Sequence, residues 1–271
     1  RKPDTLLSCN RQQKGRNCPM KKVLKGGTVV SGEGCKKADV LIEDGKIGAV
    51  APEITDEEAE VVDVSGKLLF PGFIDAHTHF DLHVSGTVTA DNFETGTKAA
   101  LSGGTTMIID FATQYKGESL HKALENWHEK ADGNASCDYG FHLAISDWNP
   151  DISEELRQIV DEGVTSFKIY MTYDDMVLDD KSIYQVLKRL KEVGGIAGVH
   201  FENKGIIEAL TEEEKAKGHL TTDAHPKTRP AVVEAEAISR LLKIADLVHT
   251  PVIIVHLSSG AGYQEVKYAR E

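Results

Sequence analysis

The chain has 271 residues, 40% of them hydrophobic, enough for one large domain or two ordinary ones around a buried core. Its formal net charge of -12, from 31 basic and 43 acidic residues, argues against a nucleic-acid partner and suits small or neutral ligands better. No apolar run is long enough to span a membrane, and Cys9, Cys18, Cys35 and Cys137 form no CxxC pair, so a reducing, cytoplasmic setting is expected in place of a disulfide or cysteine-zinc scaffold.

In chain order, residues 1–19 have no hydrophobic period and no apolar core of a signal peptide; they are expected to be a disordered tail or non-native leader ahead of Met20. Residues 20–70 hold KKVLKGGTVV, KKADVLIEDGKIGAV and EVVDVSGKLLF, which alternate apolar and polar residues between Gly-Gly, Asp-Gly and Ser-Gly turns. That is hairpin chemistry, and it predicts part of a small β-sandwich domain. From residue 71 to 271 the rhythm changes to apolar strands separated by amphipathic helices, the pattern of parallel βα units. Strands are expected at 73–80, 105–112, 139–145, 165–171, 195–202 and 251–258. Between them lie helices such as ADNFETGTKAALSGG and SIYQVLKRLKEVGG, each closed by glycines. Six such strands predict an α/β fold, a TIM-type (β/α)8 barrel with six of its eight strands present. An open doubly wound sheet fits less well because the glycine-rich phosphate turn after the first strand is missing.

A parallel barrel carries its chemistry at the C-terminal strand ends. There the sequence places His77 and His79 on strand one, Lys168 on strand four, His200 on strand five and His256 on strand six. The i, i+2 spacing of His77 and His79 puts both rings on one strand face, where they can chelate one cation or serve as hydrogen-bonded structural residues. Lys168 is an ammonium at its ordinary pKa and cannot ligate a metal unless its charge is removed, for example by carboxylation. The plainer reading pairs it with an acid. Asp75 and Asp81 flank the histidine pair as supporting or capping residues, Glu202 and Asn203 follow His200 as orienting or turn residues, and the other histidines, His142 and His225 among them, read as ordinary.

PGFIDAHTHF, GTVTADNFETGTKAALSGGTTMIIDFA, SFKIYMTY, GVHFENKGIIEAL, TRPAVVEAEAISR and VIIVHLSS occur in that order over essentially residues 20–271, and together they closely resemble the dihydropyrimidinase and hydantoinase branch of the amidohydrolase superfamily. The resemblance implies two divalent metal ions, usually Zn2+, in a (β/α)8 barrel. His77 and His79 would bind the more buried ion, Lys168 as an N6-carboxylysine would bridge both, and His200 and His256 would hold the more exposed one. Tyr173, five residues after the lysine, would bind the substrate carbonyl and stabilise the oxyanion. The implied reaction is hydrolysis of a small cyclic amide or ureide, a dihydropyrimidine or 5-substituted hydantoin, to an N-carbamoyl amino acid by a metal-bridging hydroxide. The implied assembly is a homotetramer when full length.

The family pattern also has an aspartate at the end of strand eight that binds metal and shuttles the proton. That position lies beyond Glu271, so the sequence is expected to be part of a longer chain, and a free 271-residue piece with open barrel edges is expected to aggregate and turn over poorly. An allantoinase or dihydroorotase of the same superfamily, or a non-catalytic scaffold relative lacking the ligand set, are the competing readings.

Overall fold

The protein is described by a computed structural model over residues 21–84 and 86–271. The expected leader, residues 1–19, lies outside the described residues. The chain divides into two compact units, one running to Phe73 and one from Ile74 to Glu271.

The first unit is built from β1 (Lys21–Lys25), β2 (Thr28–Ser31), β3 (Gly34–Lys37), β4 (Asp39–Glu43), β5 (Lys46–Ala51), β6 (Glu60–Asp63) and β7 (Leu68–Leu69). They form a four-stranded sheet in the order β5-β4-β1-β6 and a three-stranded sheet in the order β3-β2-β7. Asp44 and Gly45, with φ of 49° and 75°, make the left-handed turn that closes the antiparallel β4–β5 hairpin. Gly26-Gly27 was expected to do the same and does not: it carries the chain from β1 in one sheet to β2 in the other. Glycine is needed at this crossing, since a Cβ at Gly27 would stand 2.8 Å from a Leu69 methyl.

The second unit alternates strands and helices. In order come β8 (Phe73–Thr78), β9 (His83–Val84), β10 (Thr87–Val88), α1 (Phe93–Ser102), β11 (Thr105–Thr113), α2 (Leu120–Ala131), β12 (Asp138–Ala144) and α3 (Pro150–Asp161). They are followed by β13 (Ser166–Tyr170), α4 (Asp180–Val193), β14 (Ile196–His200), α5 (Lys204–Ala216), α6 (His225–Thr228), α7 (Ala231–Val248), β15 (Val252–Ile254) and α8 (Gly260–Arg270). The sheet order is β15-β14-β13-β12-β11-β8, and β11 to β15 pair in parallel, each with its neighbour in sequence. Helical crossovers between parallel neighbours are what this connectivity demands.

The sheet is strongly curved. β8 and β15 are its two edges, which a flat sheet of six strands would hold about 24 Å apart. Yet the rings of His77, in β8, and His256, two residues past β15, have centroids 5.5 Å apart. The architecture is therefore part of a (β/α) barrel preceded by a strand-rich segment.

The helices follow from apolar spacing and caps. α4 buries Ile183, Val186, Leu187 and Leu190, one stripe at helical period, between an Asp179 N-cap and Gly194 in the left-handed region at φ 83°. α2 buries Leu120, Ala123, Trp127 and Ala131, and α3 buries Ile152, Leu156 and Ile159 behind an Asn149 cap. α1 starts at a capping box in which Asn92 and Thr95 exchange side-chain and backbone hydrogen bonds. Within α1, Gly96 lies against the ring of Phe80, the residue after His79. Gly96→Ala would drive a methyl into that ring, so unfolding measurements should show a loss of about 1–3 kcal/mol; unchanged stability would mean that Phe80 is not held there.

Candidate metal centre

Strand alternation decides which residues reach the barrel interior. On β13, Phe167 and Ile169 are buried, and Lys168 projects from the opposite strand face to them. Its partners on the neighbouring strands are Ala144 on β12 and Gly198 on β14. Both are small, which leaves room around the amine and supplies no acid.

Lys168 is 1% exposed. Its Nζ lies 5.3 Å from the Phe111 ring centroid and 5.1 Å from that of Tyr170. Among the described residues no carboxylate or other hydrogen-bonding partner meets it, so the plainer reading of an acid-paired lysine fails. Burial alone pushes its pKa down to about 7, which leaves much of the amine neutral and nucleophilic at physiological pH.

Two imidazole pairs stand at the same end of the barrel. His77 Nε2 and His79 Nε2 are 3.3 Å apart, and His200 Nδ1 and His256 Nε2 are 3.2 Å apart. Two nitrogens held about 2.0–2.1 Å from one tetrahedral cation are separated by about 3.3 Å, so each pair has the spacing of two ligands on one ion. The His200 and His256 rings are 4.8 Å apart at their centroids. His79 Nδ1 is buried without a partner among the described residues. Among those residues no three His, Cys, Asp or Glu side chains converge on one ion, so a third protein ligand would have to come from Lys168 or from another segment.

The electrostatics keep these lone pairs free. Burial, then His77 and Lys168, push His79 down to about 4. Partial desolvation, then Lys168 and His200, push His256 down to about 4, and burial also lowers His77. All three rings are therefore neutral at pH 7. His200 has its tautomer set by a neighbour: Nε2 lies 2.7 Å from Glu202 Oε2, so Nε2 donates and Nδ1 keeps the lone pair facing His256.

Tyr173 follows β13 with φ 70°, and His256 has φ 39°; both are bulky residues in the left-handed region. Tyr173 sits 4.9 Å from the His200 ring, and Arg229 lies 5.7 Å from the Tyr173 ring. Burial, only partly offset by Arg229, raises the phenol pKa, so it remains a proton donor. Tyr173, His200, Phe201, Glu202, His225, Arg229, His256 and Ser258 are among the walls of a cavity of about 470 Å³, a size suited to a small ring.

The flanking residues divide as follows. Asn203 caps α5, accepting from Ile206 N at 3.1 Å, whereas Glu202 orients His200. Among the described residues Asp75 accepts only the local His77 N–H, at 3.1 Å, and Asp81 accepts the first amide of α1. His142 is inside the barrel rather than on a loop, but both ring nitrogens are taken, Nε2 by the Ala76 carbonyl at 3.0 Å and Nδ1 by Ser166 Oγ at 2.6 Å. His225, read as ordinary, is on the cavity wall.

The sequence reading missed Asp110. It is fully buried on β11 and accepts four hydrogen bonds, from Thr78 Oγ1 (2.8 Å), Phe80 N (2.9 Å), Phe111 N (2.8 Å) and Trp127 Nε1 (2.9 Å). Thr78 and Phe80 bracket His79, so this carboxylate anchors the end of β8. The available signal was an aspartate interrupting the apolar run TTMIIDFA.

A β/α scaffold thus gathers two imidazole pairs and an unpaired buried lysine at its strand ends. Residues 68–265 match the amidohydrolase family, and the chain belongs to it. It is similar to the D-hydantoinase of Geobacillus stearothermophilus, 44% identical over 93% of this chain and 54% of the relative. It is also similar to the dihydropyrimidinase of Dictyostelium discoideum, 43% identical over 92% of this chain and 50% of the relative. The crystal structure of dihydropyrimidinase from Brevibacillus agri NCHU1002 superposes with a TM-score of 0.90 at 44% identity, covering 93% of this chain and 55% of that one. The chain thus spans about half the length of the curated relatives it matches.

Keeping Lys168 protonated in this setting costs on the order of 5 kcal/mol. Its folded pKa lies below the unfolded value, so the full cost is present below about pH 7 and fades as pH rises toward 10.5. Metal-free, carbonate-free protein should therefore gain stability in denaturant titrations between pH 7 and 9. Lys168→Met should be more stable than the parent at pH 7 and lose most of that gain with pH; parallel pH profiles would contradict this assignment.

Proposed function

We propose that the protein hydrolyses the ring amide of a small cyclic amide or ureide, a dihydropyrimidine or 5-substituted hydantoin, to an N-carbamoyl amino acid. The observation that carries the proposal is the buried, unpaired Lys168 beside two imidazole pairs, each at the spacing of a shared cation. In this reading His77 and His79 hold one divalent cation, His200 and His256 a second, and both are Zn2+.

Lys168 joins them after carboxylation. Its neutral amine attacks carbon dioxide, forms an N–C bond and releases one proton, so a neutral amine becomes an anion with two oxygens to offer. Ala144 and Gly198 beside it leave space for the added group. When bound, such a cation pair supplies a water activated at neutral pH and a Lewis acid for the carbonyl. The protein does the rest: the four histidines turn ring nitrogens toward the cations, and the cavity encloses the ring. Tyr173 donates its O–H to the carbonyl oxygen as negative charge gathers there. By resemblance, the proton bound for the departing nitrogen is carried by the family's strand-eight aspartate.

The cavity supports a neutral ring over a carboxylated one. Its arginine, Arg229, is already ion-paired with Glu202, which leaves it poorly placed to receive the carboxylate a dihydroorotase substrate carries. The five ligand positions that the sequence does carry, His77, His79, Lys168, His200 and His256, favour catalysis over a scaffold role. A homotetramer acting in the cytoplasm completes the proposal.

The protein carrying this sequence, loaded with zinc and bicarbonate, should open dihydrouracil and 5-monosubstituted hydantoins faster than allantoin or dihydroorotate, and a chelator should abolish the activity reversibly. No ring opening of any of the four by zinc-replete protein would refute the proposal. Tyr173→Phe should lower kcat roughly 100-fold with a much smaller change in KM. At fixed dissolved carbon dioxide, activation of metal-free protein should rise between pH 6 and 8 as the Lys168 amine loses its proton.

A further inference from the structure

Glu202 and Arg229 come from different segments, the end of β14 and the residue after α6, yet they meet in the wall of the cavity. Glu202 Oε2 receives His200 Nε2 at 2.7 Å, and the same oxygen is ion-paired with the Arg229 guanidinium. The three side chains are only 13%, 17% and 19% exposed for His200, Glu202 and Arg229, so the contacts are screened little by water. Arg229 also lies over the Tyr173 ring, and Tyr173 packs on His200, closing a four-membered circuit.

The segment carrying Arg229 is fixed from several sides. Pro230 restricts the Arg229 backbone, the buried Thr228 hydroxyl donates to the His225 carbonyl at 3.0 Å, and Asn203 N donates to the Val233 carbonyl at 3.2 Å. Asn203 Nδ2 also reaches Glu236 on α7 at 2.7 Å, so the cap of α5 and the start of α7 are tied together beside the ion pair. Arg229 is therefore placed by the backbone rather than drawn in by the carboxylate.

We infer that Glu202 and Arg229 are positioning residues that act as one unit: Glu202 selects the His200 tautomer with Nδ1 free for a cation, and Arg229 fixes both Glu202 and the Tyr173 ring. The strength of cation binding and the aim of the carbonyl-binding phenol would thus be set by a single ion pair. The inference rests on the proposed cation pair, and it adds that one site is weakened selectively when the ion pair is broken.

The test is zinc affinity, measured by competition with a chromogenic chelator on the protein carrying this sequence, alongside kcat and KM for a hydantoin. Glu202→Ala should weaken one of two bound zinc ions by about 10- to 100-fold and leave the other within about threefold. Glu202→Gln, which keeps an acceptor for His200 Nε2–H and serves if the alanine variant does not fold, should weaken the same ion by less, about 3- to 10-fold. Arg229→Lys, which keeps the charge but not the planar stack on Tyr173, should lower kcat at least about 10-fold with zinc affinity changed less than in Glu202→Ala. Parent zinc affinity in either Glu202 variant, or parent kcat in Arg229→Lys, overturns the inference. A parent protein that binds no zinc refutes the proposed function itself, and so separates the two failures.

Discussion

The structure turns on one uncompensated charge site. A lysine amine closed inside a barrel with no acid beside it among the described residues is costly to keep protonated, and the packing around Lys168 relieves little of that cost. Its neighbours across the sheet are alanine and glycine, and the aromatic faces of Phe111 and Tyr170 offer only weak compensation. An interior built in this way makes sense where the amine is meant to be neutral and to react. The rings of His77, His79 and His256, short of protons for the same reason, are ready to accept cations.

The remaining structure can be read as support for that interior. Curvature of the parallel sheet brings its two edge strands close enough for His77 and His256 to face each other. Asp110, beneath β8, ties the residues on either side of His79 to the α2 tryptophan, and Gly96 lets Phe80 settle against α1. Positive φ at Tyr173 and His256 shows where the backbone bends away from strand geometry to present a side chain.

Much of this was legible in the sequence. Alternating strands and amphipathic helices gave all six barrel strands within a few residues, because each apolar run is short and glycine or a capping residue ends each helix. The gathering of His77, His79, Lys168, His200 and His256 at one end of the barrel was legible because strand-end location follows from the fold class. What stayed hidden depends on contacts far apart in the chain. Asp110 looks like an isolated acid until Trp127 and Thr78 are brought to it. His142 reads as stray until strand parity turns it inward. Arg229, 27 residues beyond Glu202, has no local pattern that announces a partner. The Gly26-Gly27 turn was misread because a hairpin and a sheet-to-sheet crossing use the same residues.

The resemblance to hydantoinases and dihydropyrimidinases was similarly readable from ordered motifs, whereas the division of labour among ligands rests on chemistry at Lys168. The most direct measurement is a crystal structure of zinc- and bicarbonate-loaded protein with anomalous data at the zinc edge. The account predicts two zinc peaks about 3.5–4 Å apart, one at His77 and His79 and one at His200 and His256, bridged by carboxylate density continuous with Lys168 Nζ. An unmodified Lys168 with no zinc at either histidine pair would contradict it.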